Sequence, residues 1–316
     1  MVARRYANAV LFVLLAGLFG ISFVAIKAGL EAIPPLLFAA VRFDVAAPFV
    51  LAYAAWRYDA WLPRDRSDSL SVAVGAVAMI AANNGLLFLG QQTTTPATAS
   101  VMYGLNPILA PAFAYLLLDQ RIDRLGFAGI LLGLAGVVII VQPSPETLTD
   151  ASALGQLYVL GAAVVVALGS VLLRRFESTI GSVPMTAWAM ALGAGLLHLV
   201  SVAVGESLAP GTWSPTVLLA VLSLGVLSTA MAYPIYFALI RRVGPVRTNL
   251  VAYVVPVVAA FTGWILLDEA VTLATVAGFV VVVAGVVLLE RQVVREEVAR
   301  AYGAIAGGRP ASSADD

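Results

Sequence analysis

The chain has 316 residues, 61% of them hydrophobic and only 11% charged, with 18 Lys and Arg balancing 18 Asp and Glu. Soluble domains carry about 25% charged residues, so this is the composition of an integral membrane protein, and a net charge of zero argues against nucleic acid as a partner. The lack of Cys and a single His, His198, exclude disulfides, thiolate chemistry and a His-built metal centre; no cofactor or metal is expected.

A helix needs roughly 20 apolar residues to cross the hydrocarbon core, and ten such runs are predicted in chain order. The first, 8–29, opens as MVARRYANAVLFVLLAGLFG, a basic-then-apolar start that also fits a signal peptide. Its apolar run continues to Ile26 and matches a segment of the second half, which predicts a membrane helix instead. Helix 2 (36–56) follows the turn EAIPP, helix 3 covers 70–90, and helix 4 (97–118) follows QQTTTPA. Helix 5 (124–141) is glycine-rich, and 154–173, 184–204, 215–240, 247–267 and 272–289 complete the ten. Residues 291–316, charged and then rich in Gly, Ser and Asp, read as a helical extension passing into a disordered cytoplasmic tail.

The basic residues test this count. Arg4 and Arg5 precede helix 1, and Arg57, Arg64 and Arg66 follow helix 2. Arg121 and Arg124 follow helix 4, Arg174 and Arg175 helix 6, and Arg241, Arg242 and Arg247 helix 8; the rest follow helix 10. The alternate connections (31–35, 91–96, 142–153, 205–214 and 268–271) contain no Lys or Arg. By the positive-inside rule the basic side is cytoplasmic, with both termini inside a cell's inner membrane.

The chain also repeats itself. Pro107 and Pro256 stand 149 positions apart, and the same offset relates Pro96 to Pro245, Asp119 to Asp268, Gly129 to Gly278 and Gly136 to Gly285. It also relates Gly20 to Gly169, Pro35 to Pro184 and Phe88 to Phe237. A five-helix unit is odd, so its second copy enters the membrane from the opposite face. The expectation is an all-α protein of two inverted repeats, 1–149 and 150–290, an architecture of secondary transporters whose substrate site lies at the midplane.

Three stretches carry a family resemblance: GISFVAIKAGLEAIPPLLFAAVRF at 20–43; a proline-containing helix 4 ending in LLLDQ before a GxxxGxxG helix; and its copy ending in LLDEAVT before a glycine-bearing helix 10. Over residues 8–290 the chain resembles the EamA-type exporters of the drug/metabolite transporter superfamily. The resemblance implies export or exchange of small metabolites, amino acids among them, with helices 3, 4, 8 and 9 lining a central cavity. At position 19, where many relatives carry Trp, this chain has Phe19, and its counterpart is Leu168, so no particular substrate carries over.

Three charges fall within the predicted helices. At 1.5 Å per residue, Arg42 lies about 9 Å and Asp44 about 12 Å below the outer edge, and Lys27 about 4–5 Å. Their repeat counterparts are Phe176, Ala191 and Gly193, so only the first repeat carries charge there. Intramembrane ionisable residues are functional candidates. Lys27 can instead snorkel to the interface, toward Glu31 at i+4. Arg42 reaches either the surface or the substrate. Asp44 is too short to snorkel: it is neutral, paired across helices or facing water, and it is the candidate for proton coupling. Arg42 and Asp44 stand about 200° apart around a helix, so they do not pair with each other.

Asn83, Asn84, Tyr103, Asn106, Tyr233, Tyr236, Asn249 and Tyr253 offer donors, acceptors and aromatic surface on the four helices that the resemblance places around the cavity. The alternative for each is a plain helix–helix hydrogen bond. Pro107, Pro111 and Pro256 remove backbone donors in helices 4 and 9 and are candidate hinges, or ordinary kinks. The glycines of helices 5 and 10 read as packing, and no GxxxxGK motif supports ATP-driven pumping. His198 reads as structural.

The expected protein is a non-enzymatic secondary transporter in a lipid bilayer, a monomer or homodimer, exporting a small amino-acid-like or amphiphilic solute by alternating access. Proton antiport through Asp44 and facilitated diffusion both stay open. The alternatives are a nucleotide-sugar or organophosphate exchanger, which needs several cavity cations, and a non-transporting membrane protein. An embedded enzyme needs a nucleophile–base pair or carboxylate cluster that one deep Asp and one His do not supply.

Overall fold

The computed structural model describes residues 2–118, 123–141, 151–176, 178–243 and 251–289, with Thr248, Arg291 and Arg295; no strand occurs among them. They form ten helices. These are α1 (Val2–Gly29), α2 (Pro35–Arg57), α3 (Arg66–Gln91), α4 (Pro96–Leu117), α5 (Arg124–Val141), α6 (Ala151–Arg175) and α7 (Ser182–Ala203), followed by three more. α8 runs through Pro215–Leu222, Ser223–Met231 and Ala232–Val243, and α9 (Val251–Leu267) and α10 (Leu273–Leu289) close the order. Proline sets the first helical position of α2, α4 and α8, where its missing N–H has no partner to lose. Thr95 and Ser214 cap α4 and α8 by accepting from Thr98 N at 3.2 Å and Val217 N at 3.3 Å. Seven helices are long and apolar enough to cross a membrane, and α5, α9 and α10 are shorter apolar helices.

The two copies meet as an inverted repeat requires. α5 crosses α10 on glycine: a Cβ on Gly129 would stand 2.5 Å from Gly285 O, and one on Gly136 2.8 Å from Gly278 O. Gly129 is the repeat counterpart of Gly278, and Gly136 of Gly285, so each glycine faces the other's equivalent across a pseudo-two-fold axis. Without a hydrophobic drive between helices in lipid, such close backbone approach supplies the contact energy. The same symmetry pairs α2 with α7, and matches the α1–α9 contact with one between α6 and α4. The core between the copies includes Phe38 against Phe88, edge-on at 5.3 Å between ring centroids, with Phe43, Met102 and Leu105 fully buried.

Three helices are irregular. α3 and α8 each contain a π-helical stretch, Gly75–Ala82 and Ser223–Met231, at corresponding positions of the two repeats. α4 breaks at Gly104–Leu105 and restarts at Asn106, because Pro107 has no N–H to donate and its ring crowds the carbonyl of Tyr103. Asn106 Nδ2 donates to that carbonyl at 2.9 Å. Pro111 and Pro256 behave differently from Pro107: the helix runs through both without interruption.

Two carboxylates clamp the repeats together at opposite ends of the α2/α7 pair. Asp68, at the start of α3 and 1% exposed, accepts from Thr179 N at 2.8 Å, Ile180 N at 2.9 Å, Ser178 Oγ at 2.9 Å and Arg64 N at 3.1 Å. Glu206, past the end of α7, accepts from Leu36 N at 3.1 Å, Leu37 N at 2.8 Å and Ser201 Oγ at 2.8 Å. Each carboxylate satisfies backbone donors beside the first turn of a helix in the other repeat, where the helix dipole also favours negative charge. α9 ends with Asp268 at φ 51°, and Glu269 N reaches back to Gly263 O at 3.3 Å. This left-handed helix stop gives the Asp of the LLD motif a conformational reason, since Asp tolerates that region better than most side chains.

Candidate functional site

Arg42 occupies the third turn of α2, on the face turned into the bundle, and is 8% exposed. Its Nε donates to Thr229 Oγ1 at 3.0 Å and its Nη1 to Asn84 Oδ1 at 3.2 Å. Both acceptors are tied to π-helical backbone, one in each repeat. Thr229 spends its own proton on Leu224 O at 2.7 Å, leaving its oxygen lone pairs for the guanidinium. Asn84 Nδ2 donates to Ile80 O at 2.9 Å and Met79 O at 3.3 Å, which fixes Oδ1 toward Arg42. The wide π turn frees carbonyls from the i→i−4 ladder, and the side chains collect them. The Phe43 ring lies 5.1 Å from the guanidinium carbon.

Aromatic residues complete the cluster. Tyr103 and Tyr233 lie within electrostatic reach of Arg42. Tyr103 donates from its hydroxyl to Asn83 Oδ1 at 3.1 Å, and Asn83 Nδ2 is held by Met79 O at 3.1 Å. Phe23 packs edge-on to Tyr103 at 6.2 Å, and Phe19 contacts Tyr233 at 6.4 Å and Tyr236 at 6.5 Å. Of the residues singled out in the sequence, Arg42, Asn83, Asn84, Tyr103 and Tyr233 therefore come together, with Tyr236 joined through Phe19. Asn106 sits beside the α4 break with a buried Oδ1 that has no hydrogen-bond partner. Tyr253 packs, partly buried, against the core. Asn249 lies outside the described residues.

Lys27 and Asp44 are elsewhere. Lys27 does not turn to Glu31: its Nζ donates to Gln91 O at 3.1 Å and Gln92 O at 3.0 Å, at the carbonyl end of α3. Glu269 stands near enough to feel its charge. The Glu269 carboxyl is held above the usual carboxylate range by desolvation, an effect that Lys27 opposes. Asp44 points away from Arg42, and its Oδ2 meets His198 Nε2 at 2.7 Å, with the two side chains 48% and 38% exposed. The carboxylate is thus paired across helices, on the outer face of the α2/α7 pair. At the other end of the molecule, Asp123 Oδ1 accepts from Arg291 Nη1 at 3.1 Å, joining the start of α5 to the residue beyond α10 and holding the Asp123 carboxyl below its ordinary range.

Thr229, Asp68 and Glu206 were not singled out by the sequence. The available signal for Thr229 was the pair Ser228–Thr229 inside an apolar run; Ser228 also leaves its helix, donating to Leu18 O at 2.8 Å. Asp68 and Glu206 stand near helix ends, where charges are ordinarily solvated, and nothing local marks them.

Ten helices in two inverted copies, with a polar cluster held between them by side chains of both, define a multi-pass membrane transporter. The family whose model matches residues 7–142 and again 153–291 is the EamA-like transporter family, and the chain belongs to it, within the drug/metabolite transporter superfamily. Among its relatives, the uncharacterized inner membrane transporter YedA of Escherichia coli K12 is 30% identical over 78% of this chain and 78% of its own. The uncharacterized transporter YoaV of Bacillus subtilis is 25% identical over 85% of this chain and 91% of its own. The chloroplastic WAT1-related protein At3g02690 of Arabidopsis thaliana is 25% identical over 85% of this chain and 66% of its own. A solved crystal structure shares the fold at a TM-score of 0.63 and 22% identity, over 92% of this chain and 99% of that one.

Proposed function

We propose that the protein exports a small metabolite across the inner membrane by alternating access, with both termini in the cytoplasm and the substrate bound in the Arg42 cluster. The observation that carries this reading is the guanidinium itself: a buried charge held by one neutral oxygen from each repeat, Asn84 and Thr229. A group that contacts both halves feels any change in their relation. The repeats 1–149 and 150–290 each supply moving helices to the site. The α2/α7 pair is clamped by Asp68 and Glu206, so the change between states falls on α3, α4, α8 and α9. The π stretches of α3 and α8 and the break before Pro107 are the compliant points there, with Pro111 and Pro256 as secondary bends. Where proton coupling operates, it runs through Asp44 together with His198, which bridge the repeats. Exchange of nucleotide sugars or organophosphates is the weaker reading, because Lys27 is engaged at the end of α3 and one cation is left in the cluster.

The test is flux into proteoliposomes for a panel of amino acids, organic acids, nucleosides and sugar phosphates, with and without a pH gradient. Saturable flux of at least one solute, reduced by Arg42→Gln, is expected. A protein that moves none of them refutes the transporter reading, and coupled flux preserved in Asp44→Asn removes Asp44 from the mechanism.

A further inference from the structure

Arg42 is buried without a carboxylate. Among the described residues the ion pairs are Asp44 with His198 and Asp123 with Arg291, and neither involves Arg42. Rearrangement of the cavity helices does not supply one: residues 8–30, 70–118 and 215–267 contain no Asp or Glu, and Asp68, in the first turn of α3, is held by the donors of Ser178, Thr179 and Ile180. Asp44, the acid nearest in sequence, is on the far side of α2 and engaged with His198. A lone cation in a low-dielectric interior is costly, and neutral hydrogen bonds offset only part of that cost. Among the described residues nothing supplies the missing negative charge, and a bound anion would.

The geometry also says where it docks. The guanidinium has five N–H groups. Thr229 holds the one on Nε and Asn84 one of those on Nη1, so both N–H groups of Nη2 and one of Nη1 have no hydrogen-bond partner among the described residues. Such donors on a planar guanidinium suit the oxygens of a carboxylate. Tyr103 and Tyr233 lie within electrostatic reach of the guanidinium, with Phe23 and Phe19 packed on them, and these rings favour an apolar or aromatic body. Nothing in the cluster balances an ammonium group: its other polar members, Asn83, Asn84, Thr229 and the tyrosines, are neutral. A zwitterion would leave the site with its unbalanced positive charge, whereas a monoanion cancels it.

We infer that the substrate of this transporter is a small organic monocarboxylate with an apolar or aromatic body, bound by the Arg42 guanidinium, and not a zwitterionic amino acid. The inference rests on the Arg42 cluster being the substrate site.

The experiment measures binding to the purified full-length protein by titration calorimetry, using benzoate and phenylacetate against their amides and against phenylalanine. The carboxylates are expected to bind at least tenfold more tightly than their amides and than phenylalanine. Arg42→Gln is expected to remove at least tenfold of the carboxylate affinity with no change in helical content. Equal binding of amide and acid, tighter binding of phenylalanine, or no binding of either acid overturns the inference on the wild-type protein alone, whatever the variant does. Counterflow in proteoliposomes separates the two claims. Carboxylate binding without flux refutes the transporter reading and leaves the charge assignment standing; flux of phenylalanine that is indifferent to Arg42→Gln does the reverse.

Discussion

Replacing Asp68 by Ala removes one carboxylate and strands the set of donors that it satisfies. Three are backbone N–H groups, those of Arg64, Thr179 and Ile180, and two are the Ser178 and Thr179 hydroxyls. A buried donor left unsatisfied costs about 1–3 kcal/mol. The site adjoins a membrane surface and Ser178 and Thr179 are partly exposed, so water recovers some of this, and the low end of the range gives a loss of about 3 kcal/mol for the three backbone groups. Asp68→Asn keeps one carbonyl oxygen but turns an N–H toward other donors, so about 1–2 kcal/mol is expected for it. The α3 helix start survives in both variants, because its cap is Asp65, which accepts from the residue-68 backbone N–H at 2.7 Å. The assay is thermal unfolding in detergent with circular dichroism at the start of each scan. At about 2–4 °C per kcal/mol, Asp68→Ala should melt about 6–12 °C below the wild type with unchanged helicity. An Ala variant that melts with the wild type would mean that the carboxylate does not hold the two repeats together.

Three further outcomes follow from other contacts. Glu269→Gln should raise the melting temperature at neutral pH: the folded carboxyl titrates above its unfolded value, so stability is lost as pH rises through the folded pKa, and the gap to wild type should close in acid. A gap that is constant with pH would contradict the desolvation of Glu269. Gly136→Val should cost about 1–3 kcal/mol in the same melting assay, since its Cβ would lie 2.8 Å from the Gly278 carbonyl and 2.9 Å from Val282 N, both backbone atoms that move only with the helix. For Asp44 and His198, a double-mutant cycle to Ala should give a coupling of about 0.6 kcal/mol, and not above about 1.7, the range of polar contacts between membrane helices; zero coupling would show that the pair is not made.

The ten helices, their inverted order and the packing role of the glycines of α5 and α10 were legible in the sequence, because each depends on local pattern: apolar length, the alternation of Arg-bearing connections, and one offset running through both halves. That Arg42 and Asp44 do not pair was legible for the same reason, since the angle between positions 42 and 44 is set by helix geometry alone. The effect of the prolines on the helices was legible only in part. All three prolines remove a donor, yet the helix breaks only before Pro107, beside Gly104.

What lay beyond the sequence was every choice of partner. Lys27 had Glu31 four residues away and took the carbonyl end of α3 instead. Asp44 had three admissible fates and met His198, 154 positions along the chain. Thr229, an unremarked polar residue in an apolar run, became half of the Arg42 cradle because α8 opens into a π-helical turn there. Asp68 and Glu206 became clamps between repeats because the inverted packing brings them to the starts of helices far away in sequence. The physical reason is one of range. Hydrophobic length and helical phase are properties of neighbouring residues, whereas satisfying a buried charge depends on which distant groups the packed helices bring within about 3 Å of it.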